Sequence, residues 1–536
     1  MSRVHLITAL IVAAACSRAR RTPDDKIVVV IDGAMTTADP RFAITNHDSK
    51  LARLVVAGIT AVDTPTLVPR LDLATKIEPT EVVLHLPFVT PVPVRFGDAV
   101  AVMRWVTVVP VPHPAWDVTL RDDAKFSDGS PVLADDVAFT YKSVLDPSTS
   151  SLHSKAFAER FWSVTPTGPR TARFLLKQPL ATLMSDLDFG IVSRKTGLGA
   201  GPYVLRELDA QHALLSPNPH YFGTRPRTPF VEFKFVRDSA ARLLMLVGGS
   251  ADLLQNSVRL DLVDEIETRP RVQLDTAPSV ILTYLMMNND DPLLKDRRVR
   301  EAIALTIDRR AIVDAKFGGR ARLANGLLPA LHWAYATDLP SRERDVSRAK
   351  HLLDEAGFED PDGEGPRPRF SLTYKTSSDA FRMSIARIIA AQLGDAGIAV
   401  EVRSFEFATF FADVKKGVYQ LASMQSAELN EPDYYYFYFH SGRIPDKGNP
   451  DGGNRWRYRS AALDRLVERG RTEMDLEKRK AIYHDAQHVV WRDLPIIPLW
   501  HEDNVVLTNR ELEGYSLTPN ARYSGLVNAA KFSRAK

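Results

Sequence analysis

The chain has 536 residues, of which 45% are hydrophobic and 25% charged, and its formal net charge at pH 7 is +3. This length exceeds what one ordinary hydrophobic core supports, so the sequence predicts two or three domains. The small net charge, with no face dense in arginine or lysine, gives no support for nucleic acid as a partner.

The N-terminal segment differs in composition from the rest of the chain. Leu6–Ala15 is apolar but too short to span a bilayer as a helix, which predicts the core of a signal peptide. Cys16 follows it and is the only cysteine, so the chain forms no internal disulfide. Ala13–Cys16 resembles a lipobox, which implies acylation of Cys16; ordinary signal cleavage just before it is the alternative. Residues 17–26, polar and basic, are then expected to be a flexible tether.

The first elements of the folded part come next. Ile27–Ile31 is a β-branched run that predicts a buried strand, and the apolar stretch Leu51–Ile59 predicts a helix. Leu71–Pro114 has no clear hydrophobic period and is rich in proline, which sheets tolerate at their edges. We interpret this segment as an insertion with edge strands and assign it no function.

The stretch Trp116–Pro147 carries the most specific pattern of the chain. Alternating apolar residues predict one buried face of a strand: Trp116, Val118 and Leu120. After a turn, an apolar stripe at helical spacing predicts a helix: Val137, Tyr141 and Val144. The stretch also resembles the L-R-x-x-x-x-F-x-D-G-x-P-x-x-A-x-D-V signature of bacterial extracellular solute-binding proteins, family 5. Members of that family are oligopeptide and dipeptide receptors of ATP-driven importers.

Later segments resemble the same family in the same order. They are Gly199–Leu205, Leu294–Arg309 and Ser347–Phe358. Beyond them, the patterns of Ser378–Leu393, Ile398–Phe405 and Phe407–Lys416 predict a helix, a strand and a helix. This alternation predicts an α/β domain around a parallel or mixed sheet.

Ligand contact is expected within Leu421–His440. In the peptide-binding members of the family, a strand here pairs with the bound peptide, and an aspartate after it holds the α-ammonium. The resemblance places Glu428 at the position of that aspartate, with Glu431 as the substitute candidate. It extends the expected contact surface to four neighbours: Met424, Gln425, Ser426 and Asn430.

Two further segments bear on this site. The aromatic run Tyr434–Phe439 is interpreted as core packing beneath the site rather than as a ligand-stacking surface. Asn454–Tyr458 resembles another family segment, and in it Arg455 could meet a ligand carboxylate, with exposed surface charge as the alternative. Tyr458 is assigned to the same site.

A different class of function is suggested by His484 and His488, which lie four residues apart, as in the H-E-x-x-H motif of zinc hydrolases. Aspartate replaces the glutamate base, and the neighbouring sequence offers no third ligand. Lys480–Pro495 also resembles the terminal helix of the solute-binding family, which needs no metal. We therefore predict no metal site, no cofactor and no enzymatic activity.

The resemblance implies an α/β fold of the periplasmic binding protein type II, with two lobes joined by a hinge and a small extra domain. Lobe I is expected from 27–65, 195–283 and 501–536, the small domain from 66–194 and lobe II from 284–500. The implied function is that of the substrate-binding component of an ABC transporter, which captures peptides between its lobes and delivers them to a membrane permease. We expect a monomer in the periplasm or cell envelope; a peptide sensor or chaperone on the same fold is the remaining alternative.

Overall fold

The computed structural model describes residues 21–96, 99–258, 263–363, 365–426 and 428–532, leaving aside the side chains of 86, 88–105 and 264. The predicted signal peptide and Cys16 lie outside the described residues. Of the helices within these ranges, none has the length and hydrophobicity needed to cross a membrane.

The strands are numbered along the chain. They are β1 (Lys26–Ile31), β2 (Thr60–Ala61), β3 (Arg70–Leu71), β4 (Ala74–Phe96), β5 (Ala99–Leu120), β6 (Phe161–Pro166), β7 (Thr171–Leu176), β8 (Tyr203–Leu208), β9 (His212–Pro217), β10 (Phe230–Phe235), β11 (Leu253–Gln255), β12 (Val272–Met287), β13 (Ala321–Leu323), β14 (Phe370–Ser377), β15 (Ile398–Phe405), β16 (Leu421–Gln425), β17 (Ile496–Asn509), β18 (Leu512–Glu513) and β19 (Ala530–Lys531).

The α-helices are numbered in the same way. They are α1 (Asn46–Val55), α2 (Ala134–Leu145), α3 (Ser154–Arg160), α4 (Leu183–Asp186), α5 (Ser239–Gly248), α6 (Val263–Glu267), α7 (Arg297–Thr306), α8 (Arg309–Phe317), α9 (Val346–Glu355), α10 (Ala380–Gly394), α11 (Phe407–Lys416), α12 (Tyr434–Phe439), α13 (Ala461–Thr472) and α14 (Leu476–Asp493).

One mixed sheet runs through both larger parts of the molecule, in the order β15-β14-β16-β12-β17-β11-β1-β10-β9-β8. Its central strands, β12 and β17, pair antiparallel along most of their length, with a register shift between Pro278 and Leu282. On one side of this shift they lie next to β11, and on the other side next to β16 and β13. We call the part of the molecule on the β11 side of the shift lobe I, and the part on the side of β16 and β13 lobe II. The boundaries expected at 283/284 and 500/501 fall inside these two crossing strands.

The predicted first strand is buried on both faces. Ile27, Val29 and Ile31 of β1 pack into one core of lobe I, whereas Val28 and Val30 pack into a second core on the opposite face. β1 is parallel to β10 and β11, and a parallel strand covered on both faces is expected to be a continuous apolar run.

The small domain has its own sheet, in the order β4-β5-β7-β6, and its own core. The strand and helix predicted for Trp116–Pro147 are confirmed, because Val118, Tyr141 and Val144 are all buried in that core. The carboxylate of Asp136 accepts a hydrogen bond from the Leu133 backbone N–H (3.0 Å) and thereby caps the start of α2.

The segment that lacked a hydrophobic period forms a long hairpin of β4 and β5. Only Ala115–Thr119 of β5 also pairs with β7, so the remaining hairpin extends as a two-stranded arm of about 50 Å, at roughly 3.3 Å per residue. Every proline of β4 has an odd number and every proline of β5 an even number, so all of them lie in the same alternating set of residue pairs along the hairpin. They are Pro79, Pro87, Pro91, Pro93, Pro110, Pro112 and Pro114. Proline has no N–H, so these are the positions whose amides would point away from the partner strand. The hairpin keeps its internal ladder, while both outer edges lose donors that would pair with further strands.

The described part of the expected tether is bound to the body of the protein. The Thr22 backbone N–H donates to the Gly249 carbonyl (3.0 Å), and the Thr22 hydroxyl donates to the buried Asp252 carboxylate (2.7 Å). Lys531 binds both the Thr22 hydroxyl and Asp252, each at 2.8 Å. The tether expected over 17–26 therefore cannot extend past Thr22.

Candidate functional site

β16 ends at the crossing strands with one edge partly open. The Ser426 N–H donates to the Leu282 carbonyl (2.8 Å), so the even-numbered residues of this strand direct their backbone groups toward β12. The odd-numbered residues face the other side, where β14 pairs only with the first two residues of β16. Within the described residues, the N–H and C=O of Gln425 therefore face an edge that no strand covers.

Two other predicted contact residues stabilise this strand. The Ser426 hydroxyl is buried and accepts a hydrogen bond from the Leu282 N–H (2.9 Å), which holds the end of β16 against β12. Met424 packs against the aromatic core of lobe II. The strand is therefore fixed in place before any ligand arrives.

Glu428 follows β16 and lies where the two lobes meet. Its Oε2 atom is 3.8 Å from Nη2 of Arg522 in lobe I and accepts a hydrogen bond from the Asn430 side chain (3.1 Å). Arg522 is also 2.8 Å from Asp188 of the small domain, whose other carboxylate oxygen binds Arg53 (2.7 Å). Glu428 is thus one end of an ionic network that joins lobe II, lobe I and the small domain.

Two cations, Lys50 and Arg522, interact with the Glu428 carboxylate. Burial lowers the pKa of Lys50, and the nearby Glu428 carboxylate opposes this change. Burial also works against the charge on Arg522, but Asp188 and Glu428 outweigh it and raise the pKa of Arg522. Both cations are close enough for Glu428 to interact with them, so a ligand ammonium would compete with Arg522 for this carboxylate.

Glu431 is engaged inside the protein. Its Oε2 binds Arg479 of α14 (2.7 Å), and its Oε1 accepts hydrogen bonds from Arg479 (3.2 Å) and from Ser185 of the small domain (2.9 Å). The side chain is 13% exposed and that of Arg479 is 5% exposed. These bonds tie lobe II to the small domain, whereas the contact of Glu428 with Arg522, at 3.8 Å, is longer.

Tyr458 contacts a different part of lobe II. Its hydroxyl donates to Asp493 (2.5 Å), and it lines a cavity of about 350 Å³. Asn289, two residues beyond the end of β12, lines the same cavity, whereas Leu282 lies next to Ser426. From Leu282 to its last residue, Met287, β12 covers five residues, or about 17 Å of extended chain. The predicted contact of Tyr458 with a ligand stays a prediction.

Arg455 lies among aromatic side chains. Its guanidinium is 5.0 Å from the centre of the Phe411 ring, and the Tyr419 hydroxyl donates to its backbone carbonyl (2.9 Å). No carboxylate forms an ion pair with Arg455 within the described part of the chain. Its predicted capacity to bind a ligand carboxylate is compatible with this geometry.

The aromatic run is a core element, as predicted. α12 buries Tyr435, Tyr438 and Phe439, and the rings of Tyr438 and Phe439 lie 5.6 Å and 5.1 Å from that of Trp456. Leu429, which follows Glu428, belongs to the same hydrophobic core as these rings, so this core anchors the loop that carries Glu428.

The histidine pair is on the surface of lobe II rather than in the cleft. The side chains of His484 and His488 are 42% and 38% exposed, and both contact Asp338. Asp485 occupies the position of the catalytic glutamate of H-E-x-x-H, so the motif lacks its general base. Nothing in this geometry favours the hydrolase alternative.

Sequence patterns did not reveal the partners of Glu428. Arg53 and Asp188 are 135 positions apart, and neither forms part of a motif. One weak signal existed: Arg53 interrupts the apolar stretch Leu51–Ile59, and a lone arginine in such a stretch often marks a buried ion pair. Arg522 lies in a loop, where no pattern distinguishes it from surface arginines.

Comparison with known proteins agrees with this architecture. A family model described as bacterial extracellular solute-binding proteins, family 5 Middle, matches residues 113–446, more than half of the chain. Oligopeptide-binding protein AppA of Bacillus subtilis (strain 168) is 27% identical over 451 residues, which cover 79% of this chain and 81% of AppA. Periplasmic murein peptide-binding protein MppA of Escherichia coli (strain K12) is 26% identical over 453 residues, covering 75% and 80% of the two chains.

A solved structure supports the same fold. AppA from Bacillus subtilis in complex with a nonapeptide matches with a TM-score of 0.71 at 23% identity, covering 95% of this chain and 99% of the other. The predicted periplasmic binding protein fold is thus confirmed. The chain belongs to the bacterial extracellular solute-binding proteins, family 5.

Proposed function

We propose that this protein is the substrate-binding component of an ABC transporter that captures peptides between its lobes and delivers them to a membrane permease. Relatives named for oligopeptide and murein peptide binding support this substrate class. The observation that carries the proposal is the open edge of β16 at Gln425, followed three residues later by Glu428, which lies 3.8 Å from Arg522 of lobe I. That order would let a peptide add its backbone to the edge while its ammonium group meets the carboxylate.

The contacts between the lobes indicate how binding would drive closure. Contacts of lobe II with its neighbours include those of Glu428 with Arg522 and of Glu431 with Ser185. Within the described residues the chain passes between lobes I and II along β12 and β17, and their register shift near Pro278 suits a hinge. A ligand that touches both lobes stabilises the closed form because the open form offers only half of those contacts. Binding energy is used for closure rather than for bond chemistry.

Location and partners follow from the same proposal. The relatives include proteins named as periplasmic, which supports a location in the periplasm or cell envelope. Acylation of Cys16 would hold it at a membrane surface close to its permease. We propose that it acts as a monomer, with lobes I and II closing on the ligand and the small domain supporting lobe I.

A thermal-shift screen tests this function. Peptides of two to nine residues should raise the melting temperature in proportion to the logarithm of their concentration, because they bind only the folded state. Sugars and peptides with acetylated amino termini are the matched controls and should produce little shift. A protein stabilised by a sugar and by no peptide would refute the proposed ligand while leaving the family membership intact.

A further inference from the structure

A cluster of three metal-binding side chains lies on lobe II, apart from the ligand site. α14 presents His484 and His488 on one face, and their ring centres are 4.6 Å apart. Asp338 approaches from a different part of the chain, with its Oδ1 atom 2.9 Å from Nε2 of His484 and 3.1 Å from Nε2 of His488. The three candidate ligand atoms all lie within 4.8 Å of one another.

The segment that carries Asp338 is fixed against the same helix. The Trp491 indole N–H donates to the Pro340 carbonyl (2.9 Å), and Arg342 donates to the Trp491 carbonyl (2.6 Å). The Arg342 guanidinium also stacks 4.0 Å from the centre of the Trp491 ring. Asp338 is therefore held close to both histidines by contacts two to four residues away, so little chain ordering would accompany the binding of an ion.

Two of the three separations between the ligand atoms are close to those around a bound ion. A tetrahedral centre with bonds of roughly 2.0–2.1 Å places its ligand atoms about 3.3 Å apart. The two measured separations from the Asp338 oxygen are 2.9 Å and 3.1 Å, so each needs to widen by only a few tenths of an ångström. The side chains of Asp338, His484 and His488 are 55%, 42% and 38% exposed, which leaves room for this movement and for water as a further ligand.

The donor set selects a class of metal. Two imidazole nitrogens with one carboxylate oxygen suit zinc, nickel or copper rather than calcium or magnesium, which prefer oxygen ligands. Nδ1 of His484 is 3.7 Å from the Asp485 carboxylate, which is beyond hydrogen-bond distance but close enough for the negative charge to favour a cation at this site.

We propose that Asp338, His484 and His488 form a surface site for a divalent late first-row transition-metal ion. The third ligand was not visible in the sequence because Asp338 lies 146 positions before His484. The site is one of binding and not of hydrolysis, because Asp485 occupies the position of the glutamate base. It is independent of the peptide proposal, because none of its ligands belongs to the cleft between the lobes.

Calorimetric titration of the metal-free protein with zinc chloride tests this site. We expect one zinc ion per chain, and we expect His484→Ala, His488→Ala and Asp338→Asn each to weaken binding by at least about tenfold, the smallest loss typical even for outer-shell partners. The matched control is His351→Ala. It removes an exposed histidine that also pairs with a carboxylate, Glu355 at 3.0 Å, but has no second histidine beside it.

The outcomes separate clearly. Loss of zinc binding in the three variants, with wild-type affinity in His351→Ala, supports the site. Absence of zinc binding in the wild type, or equal affinity in wild type and His484→Ala/His488→Ala, overturns it. Melting temperatures measured in the presence of a chelator should be equal for all variants, which confirms that a loss of binding is not a loss of fold.

Discussion

Removing one partner of the buried ion pair of Glu431 and Arg479 should strongly destabilise lobe II. Arg479→Met removes two hydrogen bonds of 2.7 Å and 3.2 Å to a carboxylate that is only 13% exposed. An unpaired buried charge of this kind costs about 3–5 kcal/mol. We therefore expect the free energy of unfolding to fall by about that amount. Urea denaturation followed by tryptophan fluorescence is suitable, because Trp333 lies against Arg479, with the guanidinium 5.5 Å from its ring centre.

The double variant Arg479→Met/Glu431→Leu distinguishes the cost of an unpaired buried charge from the cost of lost side-chain packing. With both charges gone the unpaired carboxylate no longer exists, so most of the lost stability should return. Arg403→Met is the control, because Arg403 and Glu401 form an ion pair whose side chains are 53% and 60% exposed; we expect little change there. A loss below about 1 kcal/mol in Arg479→Met, or equal losses in the single and double variants, would refute this reasoning.

Two further predictions concern the crossing strands. Ser426→Ala leaves the buried N–H of Leu282 without its 2.9 Å acceptor, so the unfolding free energy should fall by about 1–3 kcal/mol in the same urea assay. Burial lowers the pKa of His501 to about 4, below its unfolded value of about 6.5, so the unfolded state takes up the proton first. Stability should therefore decline by up to about 3 kcal/mol as the pH falls from about 6.5 to 4. His501→Leu should remove this part of the pH dependence, whereas His351→Leu, at an exposed site, should leave it unchanged. If His501→Leu and the wild type lose the same unfolding free energy between about pH 6.5 and 4, the pH dependence does not come from His501.

The elements that the sequence predicts best are those with one buried face. The structure has β15 at Ile398–Phe405 and α11 at Phe407–Lys416, the same bounds that the pattern indicates. Here the alternation of buried and exposed residues follows from packing on the lobe II core. The arm of β4 and β5 shows the opposite case. Among the described residues, β4 pairs only with β5, and β5 pairs with a further strand only at Ala115–Thr119, so no hydrophobic period is required along the arm.

The candidate site is predictable only in part, for two physical reasons. Glu428 follows a strand with a recognisable context, but its partners Arg522 and Asp188 reach it through tertiary folding and have no local pattern. Family resemblance groups Tyr458 with Glu428, because both lie in segments that resemble one family. It does not express the course of β12, which runs from the end of β16 beside Leu282 toward the cavity that Tyr458 lines.

Peptide binding measured by calorimetry as a two-way cycle tests the proposed anchor most directly. One change is acetylation of the peptide amino terminus, and the other is Glu428→Gln, which keeps the shape of the side chain and removes its charge. If the ammonium group meets Glu428, each change alone should weaken binding by about tenfold or more, and the second should add little to the first. Full affinity of Glu428→Gln for free peptides, or additive losses, would contradict the assignment of Glu428 as the anchor of the bound peptide.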